Sequence, residues 1–165
     1  MKRFKITPPS RLGAVIYAFA PDWGGDWQEQ LNSYSEILTD HFSRPRNVGE
    51  LAGADGVGTA GAAECGDTMT IWIRVRDEVV TEVTFKCLGC PAAIACGSMT
   101  TQLAGGRHLE KVDEITNEAV AEALGGLPGD KRHCSNLGAE ALQNAVMDYI
   151  LRSAQRQYAL KQSAG

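Results

Sequence analysis

The chain has 165 residues, of which 44% are hydrophobic and 22% charged; this is an ordinary globular composition and excludes a disordered tail or a collagen-like fibre. Its 16 basic and 20 acidic residues give a net charge of −4, which argues against nucleic-acid binding, because that relies on clustered Lys and Arg. No apolar run approaches the roughly 20 residues that span a bilayer, so we expect no membrane insertion.

Residues 1–30 form an N-terminal extension whose role the sequence does not give. Several Lys and Arg residues precede an apolar stretch over residues 12–20, which ends in Ala18-Phe19-Ala20. This order imitates a secretory signal with an A-x-A cleavage site, and that alternative stays open. Because Pro21 directly follows the site, we favour a non-exported extension that packs on the main body as a strand or short helix.

A first helix is predicted over residues 33–42, with Asn32 or Ser33 as its N-cap and an end before Pro45. The segment that follows, residues 49–66, contains six glycines. Clusters of glycine are typical of irregular structure, so this segment is predicted to be a mobile loop. The apolar face of the helix comprises Ile37, Leu38 and Phe42.

A β-hairpin follows, because apolar and polar residues alternate with period two over residues 69–75 and 79–87. Asp77-Glu78 supplies the predicted turn. In the second strand, one face is predicted to carry the odd-numbered residues, which are Val79, Thr81, Val83, Phe85 and Cys87.

Two helices are predicted directly after the hairpin. The first begins at Pro91, a residue favoured in a first helical turn, and ends at Gly105-Gly106. The second is capped by Asp113 or Thr116 and ends at Gly125-Gly126.

The last helix is predicted over residues 135–155. Because strands precede helices, we expect an α+β fold, with helices packed on one face of a small antiparallel β-sheet. We place the main domain at residues 31–155 and a C-terminal tail at residues 156–165. The apolar stripe of the last helix comprises Leu137, Ala141, Ala145 and Tyr149.

The odd number of cysteines, five, indicates free thiols and a reducing compartment, so we expect a cytoplasmic protein. Cys65 lies in the glycine-rich segment, whereas Cys90 and Cys134 each precede a predicted helix. A helix N-terminus favours the thiolate form, which binds soft metals. The three cysteines are 25 and 44 residues apart, unlike the close ligand pairs of a zinc finger. A metal site would therefore be assembled by the fold from three loops.

The other cysteines and the histidines give weaker signals. Cys87 and Cys90 form a C-x-x-C pair, which could be half of a zinc site or a redox pair. Since Cys87 shares its predicted face with apolar residues, we favour a core role for it, and also for Cys96 on an apolar helix stripe. His133 adjoins Cys134, so a ligand role and a structural role both stay open. The remaining histidines are expected to be structural or at the surface: His41 and His108.

Three short motifs surround the cysteines in chain order: C-G-D at residues 65–67, G-C-x-x-A-I-A at residues 89–95 and K-x-H-C at residues 131–134. With them, the chain resembles the U-type iron–sulfur cluster scaffold family, which comprises IscU and the N-terminal domain of NifU. The likeness covers about residues 31–149. Further matching stretches are Tyr34-Ser35-Glu36, His41-Phe42, Pro45-Arg46-Asn47-Val48-Gly49, Val83-Thr84-Phe85-Lys86 and Leu127-Pro128.

The resemblance implies a scaffold, not an enzyme, on which a 2Fe–2S cluster forms and is passed to apo iron–sulfur proteins. It implies a cysteine desulfurase as sulfur donor and an electron or iron donor as a further partner, and it leaves a homodimer open. By the same resemblance Cys65, Cys90 and Cys134 are the cluster ligands, with Asp67 or His133 as the fourth. Cys134 and Cys65 are the candidate persulfide acceptors, and we favour Cys134 because its helix start and neighbouring cations should keep it a thiolate.

Two departures from the family pattern bear on function. The chaperone motif L-P-P-V-K reads Leu127-Pro128-Gly129-Asp130-Lys131 here, which argues against a dedicated Hsp70-type chaperone. The zinc-binding relatives carry an insertion before the third cysteine and lack the adjacent histidine, and this chain has neither feature. Two alternatives remain: a zinc-binding sulfur acceptor that activates a desulfurase, with zinc in the protein as isolated, and a thiol enzyme with Cys134 as nucleophile and His133 as base.

Overall fold

The computed structural model of the chain describes residues 32–63 and 66–163. The extension over residues 1–30 and Cys65 lie outside the described residues. Within them, an antiparallel sheet has the strand order β1 (Gly56–Ala62), β2 (Asp67–Arg76) and β3 (Val79–Leu88). The accompanying helices are α1 (Glu36–Ser43), α2 (Pro91–Ala104), α3 (Asn117–Ala123) and α4 (Arg132–Ser163), with short 3-10 helices at Leu109–Glu114 and Gly129–Lys131.

One face of the sheet forms the core. Met69, Ile71 and Ile73 of β2 are fully buried, as the alternating pattern predicts, because every second side chain points to the same face. Helix α4 packs across β1 and β2, and α2 packs on β3. The predicted α+β class, with helices on one face of a small antiparallel sheet, is therefore confirmed. Within the described ranges no helix has the length and apolar character needed to cross a membrane.

The predicted loop over residues 49–66 is wrong in part, because it contains strand β1. Two of its glycines, Gly56 and Gly58, are needed for close packing. A Cβ at Gly58 would lie 2.2 Å from the Ala141 carbonyl oxygen and 2.1 Å from the Ala145 amide nitrogen. Only a residue without a side chain at this position allows the backbone of α4 to approach so closely. The same glycine content that suggested a loop thus marks a strand–helix contact.

The outer edge of β1 is covered by polar side chains of α4. The Val57 amide donates to Asp148 Oδ2 at 2.8 Å, and Asn144 Nδ2 donates to the Thr59 carbonyl at 2.9 Å. Unpaired amides and carbonyls at a sheet edge invite pairing with another chain. Two residues one helical turn apart therefore satisfy backbone groups of this edge and lock α4 in register with the strand.

The hairpin is confirmed, but its face assignment is wrong near the turn. Arg74 pairs with Glu82 while the next residue, Val75, pairs with Val80, so Thr81 is an extra residue in β3. This bulge reverses the alternation. Val80 is fully buried, whereas the prediction placed Val79 and Thr81 inward, and from Val83 onward the predicted face is correct. The turn residues have positive φ, of 51° at Asp77 and 60° at Glu78, which suits a tight two-residue hairpin.

The predicted bounds of the helices are correct for α2 and differ for the start of α1 and for both ends of α4. Helix α2 has the predicted bounds, and Thr116 caps α3. Helix α1 begins later than predicted, because Ser35 is its N-cap and its Oγ accepts from the Leu38 amide at 3.0 Å. Helix α4 begins three residues earlier than predicted and continues to Ser163. Cys134 therefore lies inside its first turn.

The close strand–helix contact gives a stability prediction. Gly58→Ala should lower the free energy of unfolding by about 3 kcal/mol, the upper range for overpacking, because the new methyl group meets backbone atoms that cannot rotate away. Urea unfolding measures the change. Gly61→Ala is the matched control, since its Cβ would meet nothing closer than 3.8 Å. Equal stability of the two variants would contradict the packing argument.

Candidate metal centre

Three potential ligands meet where β2, α2 and α4 begin. Asp67 is the first residue of β2, Cys90 is the N-cap of α2, and Cys134 lies in the first turn of α4. One ligand atom from each lies within 4.8 Å of the other two. Residues that are 23 and 44 positions apart in the chain are thus brought together by the fold, as the sequence analysis anticipated for a site built from distant segments.

The geometry of these three groups suits a metal ion. The Sγ atoms of Cys90 and Cys134 are 3.6 Å apart. Two thiolates bound to one tetrahedral ion at about 2.3 Å would lie roughly 3.8 Å apart, so little movement is needed. Asp67 is buried, and its Oδ2 has no hydrogen-bond partner in the part of the chain that the structure describes. A buried carboxylate oxygen without a donor is a group that a cation would satisfy.

Gly89 makes room for the Asp67 carboxylate. A Cβ at this position would lie 2.9 Å from Asp67 Cγ and 3.1 Å from the Ala93 Cβ. The carboxylate therefore occupies the space where any other residue would place its side chain. The glycine of the G-C-x-x-A-I-A motif is thus needed because a side chain at this position would collide with the Asp67 carboxylate.

The thiols of Cys90 and Cys134 differ in pKa, because a hydrogen bond joins them. The hydrogen bond from Cys134 lowers the pKa of Cys90 to about 7, against burial, and Lys131 favours the same direction. The hydrogen bond to Cys90 and burial raise the pKa of Cys134 far above its ordinary value. Cys134 therefore holds the proton and donates it to the Cys90 thiolate. In the metal-free protein, the hydrogen bond to Cys90 and burial therefore oppose the helix start and the cations, which favour a Cys134 thiolate.

Tyr34 is a site residue that sequence reasoning did not identify. Its hydroxyl group is buried and has no hydrogen-bond partner among the residues described. Burial, followed by the negative charge of the Cys90 thiolate, raises the pKa of the phenol. A neutral phenol within electrostatic range of that thiolate can donate a hydrogen bond to a bound anion. The sequence offered one signal, the position of Tyr34 at the start of a matching stretch.

Other sequence-predicted residues lie outside this donor set. His133 is half-buried in the first turn of α4 but does not belong to the group of ligand atoms within 4.8 Å found among the described residues. Cys96 is fully buried, and burial followed by the Cys90 charge raises its pKa. Cys87 is half-buried and packs against the core. Both cysteines thus have the apolar surroundings that the sequence suggested.

The remaining histidines have structural contacts. His41 is buried, and its Nδ1 lies 2.8 Å from Ser98 Oγ, which also accepts from the Arg46 amide. His108 caps a 3-10 helix by accepting from the Glu110 amide. Both positions are therefore explained without a ligand role.

The shared proton gives a pH prediction. In the metal-free protein, iodoacetamide should alkylate Cys90 with a rate midpoint near pH 7, because the pKa of Cys90 is lowered to about 7. Cys134→Ala removes the thiol donor and should move that midpoint up toward the ordinary value of 9.0. Peptide-resolved mass spectrometry across a pH series measures both midpoints, with buried Cys96 as the unreactive control. An unchanged midpoint in Cys134→Ala would contradict the assignment of the proton.

The chain is similar to proteins of one family. Residues 33–156 match the family described as NifU-like N terminal domain. The iron-sulfur cluster assembly scaffold protein IscU 1 of Archaeoglobus fulgidus is 52% identical over 120 residues, which cover 73% of this chain and 78% of that protein. The scaffold protein IscU of Aquifex aeolicus is 43% identical over 130 residues, covering 78% and 83%.

Solved structures show the same fold at lower identity. A NifU-like protein (N-terminal) from Brucella abortus has a TM-score of 0.57 and 20% identity, covering 70% of this chain and 92% of that chain. A putative iron-sulfur cluster assembly scaffold protein for the SUF system from Fervidobacterium islandicum has a TM-score of 0.59 and 16% identity, covering 74% and 99%. The motifs, the fold and the matched residues agree, and the chain belongs to the NifU-like N-terminal domain family.

Proposed function

We propose that this protein is a scaffold for the assembly of an iron–sulfur cluster that is then passed to acceptor proteins. The observation that carries the proposal is the group of Asp67, Cys90 and Cys134, whose ligand atoms lie within 4.8 Å of one another. Relatives at 43–52% identity are named as cluster assembly scaffolds and not as enzymes. In this reading the cluster is cargo, and the protein performs no turnover of its own.

The cluster is of the 2Fe–2S type, and Cys65 completes the set of three thiolates. Cys90 and Cys134 enter from two helix starts, and Cys65 stands two residues before Asp67 in the chain. The fourth ligand is Asp67 in preference to His133, since its carboxylate already lies beside both sulfur atoms. Three soft sulfur ligands suit iron–sulfur chemistry, whereas the carboxylate is a hard and weaker ligand.

Sulfur is delivered by a cysteine desulfurase in a cytoplasmic, reducing setting. A thiolate of this chain attacks the outer sulfur of the desulfurase persulfide, the S–S bond of that persulfide breaks, and the desulfurase leaves as a thiolate. The acceptor is Cys134 or Cys65. If Cys134 is the acceptor, its proton must first pass to a neighbour, and the Cys90 thiolate at 3.6 Å can take it.

A zinc-binding sulfur acceptor remains the second candidate, because the same donor set suits zinc as well as iron. Zinc is d¹⁰ and colourless, whereas an iron–sulfur cluster absorbs visible light. Anaerobic reconstitution with iron and sulfide, followed by metal and sulfide analysis, separates the two. A colourless protein that retains one zinc and takes up no iron would overturn the scaffold proposal.

Ligand substitutions test the site directly. Cys65→Ser, Cys90→Ser and Cys134→Ser should each abolish or strongly destabilise the chromophore formed on anaerobic reconstitution. Cys87→Ala and Cys96→Ala are the matched controls, and each should retain the chromophore at a cost of about 1 kcal/mol in unfolding free energy. A Cys87→Ala protein without a cluster, beside a Cys90→Ser protein that keeps one, would contradict the assignment.

The carboxylate should set how readily the cluster leaves. Asp67→Ala removes the weak, hard ligand, so the variant should still bind a cluster but release it several-fold more slowly to a chelator or apo-acceptor. The decay of visible absorbance under anaerobic conditions measures the rate. Asp130→Ala is the control, because that carboxylate is exposed and near the site but outside the donor set. Equal or faster release from Asp67→Ala would remove this role from Asp67.

A further inference from the structure

The two helices that carry the thiol ligands touch each other close to the metal centre. Cys134 and Gly138 are one turn apart in α4, and both are buried. A Cβ at Gly138 would lie 2.4 Å from Thr100 Oγ1 and 3.5 Å from the Cys96 carbonyl oxygen, both of which belong to α2. The Thr100 hydroxyl group therefore occupies the space that any other residue at position 138 would need for its side chain.

This contact depends on shape and not on hydrogen bonding. Thr100 is fully buried, and its Oγ1 has no hydrogen-bond partner among the residues that the structure describes. Gly138 has no side chain that could pair with it. The hydroxyl group is thus a small projection of α2 that fits a notch in α4, and its bulk sets how closely the two helices approach.

Helix α4 has a second close contact further along the same buried face. The Ala141 carbonyl and the Ala145 amide lie against Gly58 of β1. Gly138 lies about one turn before Ala141, and Cys134 lies about two turns before it. Because the sheet holds α4 at the two alanines, the contact with α2 at Gly138 determines the remaining tilt of its first turns.

A displacement at Gly138 is amplified at Cys134. If α4 pivots near residue 143, Gly138 is about 8 Å and Cys134 about 14 Å from the pivot. A methyl group at position 138 would have to move about 1 Å away from Thr100 Oγ1, since ordinary contact begins at 3.4 Å. The same tilt would carry Cys134 about 2 Å. That is a large change for two Sγ atoms that are 3.6 Å apart.

We propose that Thr100 and Gly138 are positioning residues of the metal centre. The Thr100 hydroxyl group, fitted into the notch at Gly138, holds Cys134 at the distance from Cys90 that a shared metal ion requires. This inference rests on the proposed function only in taking both cysteines as ligands. Since the spacing depends on the combined bulk of the two positions, bulk can be exchanged between the helices without loss of the site.

A bulk exchange in the metal-free full chain tests the inference. Gly138→Ala should slow formation of the Cys90–Cys134 disulfide about tenfold, because displaced thiols rarely reach bonding geometry. The oxidant is diamide, a diazene that accepts two electrons and two protons from the thiol pair and becomes a hydrazine. Adding Thr100→Ala to Gly138→Ala should restore the rate to within about twofold, since the new methyl group replaces the lost hydroxyl group. Peptide-resolved mass spectrometry measures the rates.

Two controls separate positioning from stability. Val112→Ala removes buried bulk from a 3-10 helix outside both ligand helices, so it should destabilise the fold and leave the disulfide rate unchanged. Thr100→Val keeps the shape and should also leave the rate unchanged, whereas Thr100→Ala alone should slow it. Equal rates in wild type and both Thr100 variants would overturn the inference, even where Gly138→Ala does not fold. A double variant that recovers none of the rate lost in Gly138→Ala would do the same.

Cobalt(II) binding separates this inference from the proposed function. Gly138→Ala should bind Co²⁺ about tenfold more weakly than wild type, as for other residues that orient metal ligands, and the double variant should recover the affinity. The thiolate-to-cobalt charge-transfer absorbance measures binding. A wild-type protein without this absorbance would contradict the metal centre itself, while the disulfide rates would still decide the positioning. Equal Co²⁺ affinity in wild type and Gly138→Ala would overturn the role of Thr100 and Gly138.

Discussion

The contact between the backbones of α4 and β1 is the constraint on which the site depends. Gly58 leaves no room for a side chain between strand and helix, and Asn144 and Asp148 then bond to the strand edge. This contact fixes the axis of α4, whose first turn, about 10 Å away along the helix, carries Cys134. A helix displaced outward would carry Cys134 away from Cys90. The close contact at Gly58 therefore helps to place Cys134 near Cys90.

The site combines charge and burial in a way that suits anionic cargo. Two helices, α2 and α4, present their N-terminal ends to the same small volume, and each end carries partial positive charge. At the start of α2, the Ala93 amide donates to the Cys90 sulfur and favours its thiolate. Cys134 is fully buried and Asp67 nearly so, so water competes little with a metal ion for these ligands. Tyr34 adds a neutral donor where sulfur charge accumulates.

The sequence predicted those features that depend on local pattern. Alternation predicted the hairpin, and Pro91 and Thr116 marked helix starts correctly. What it missed depends on contacts between distant segments. Strand β1 was hidden because its glycines serve α4, and the bulge at Thr81 reversed a regular pattern. Tyr34 had no signal beyond its place in a matching stretch, because the electrostatic contact of its phenol with the Cys90 thiolate arises only in the folded chain. The cysteine motifs could be identified in the sequence. Which of the two thiols, Cys90 or Cys134, carries the proton depends on contacts that exist only in the folded chain.

The hydrogen bond between the two thiols also affects how many protons Cys90 and Cys134 release together when a metal ion binds. At pH values above about 7, Cys90 is already ionised, so a divalent ion displaces a single proton from this pair, the one on Cys134. The apparent affinity that these thiols provide should then rise about tenfold per pH unit, and not hundredfold as for two fully protonated thiols. Well above that pH, binding of a metal ion by these two thiols alone should therefore release one proton.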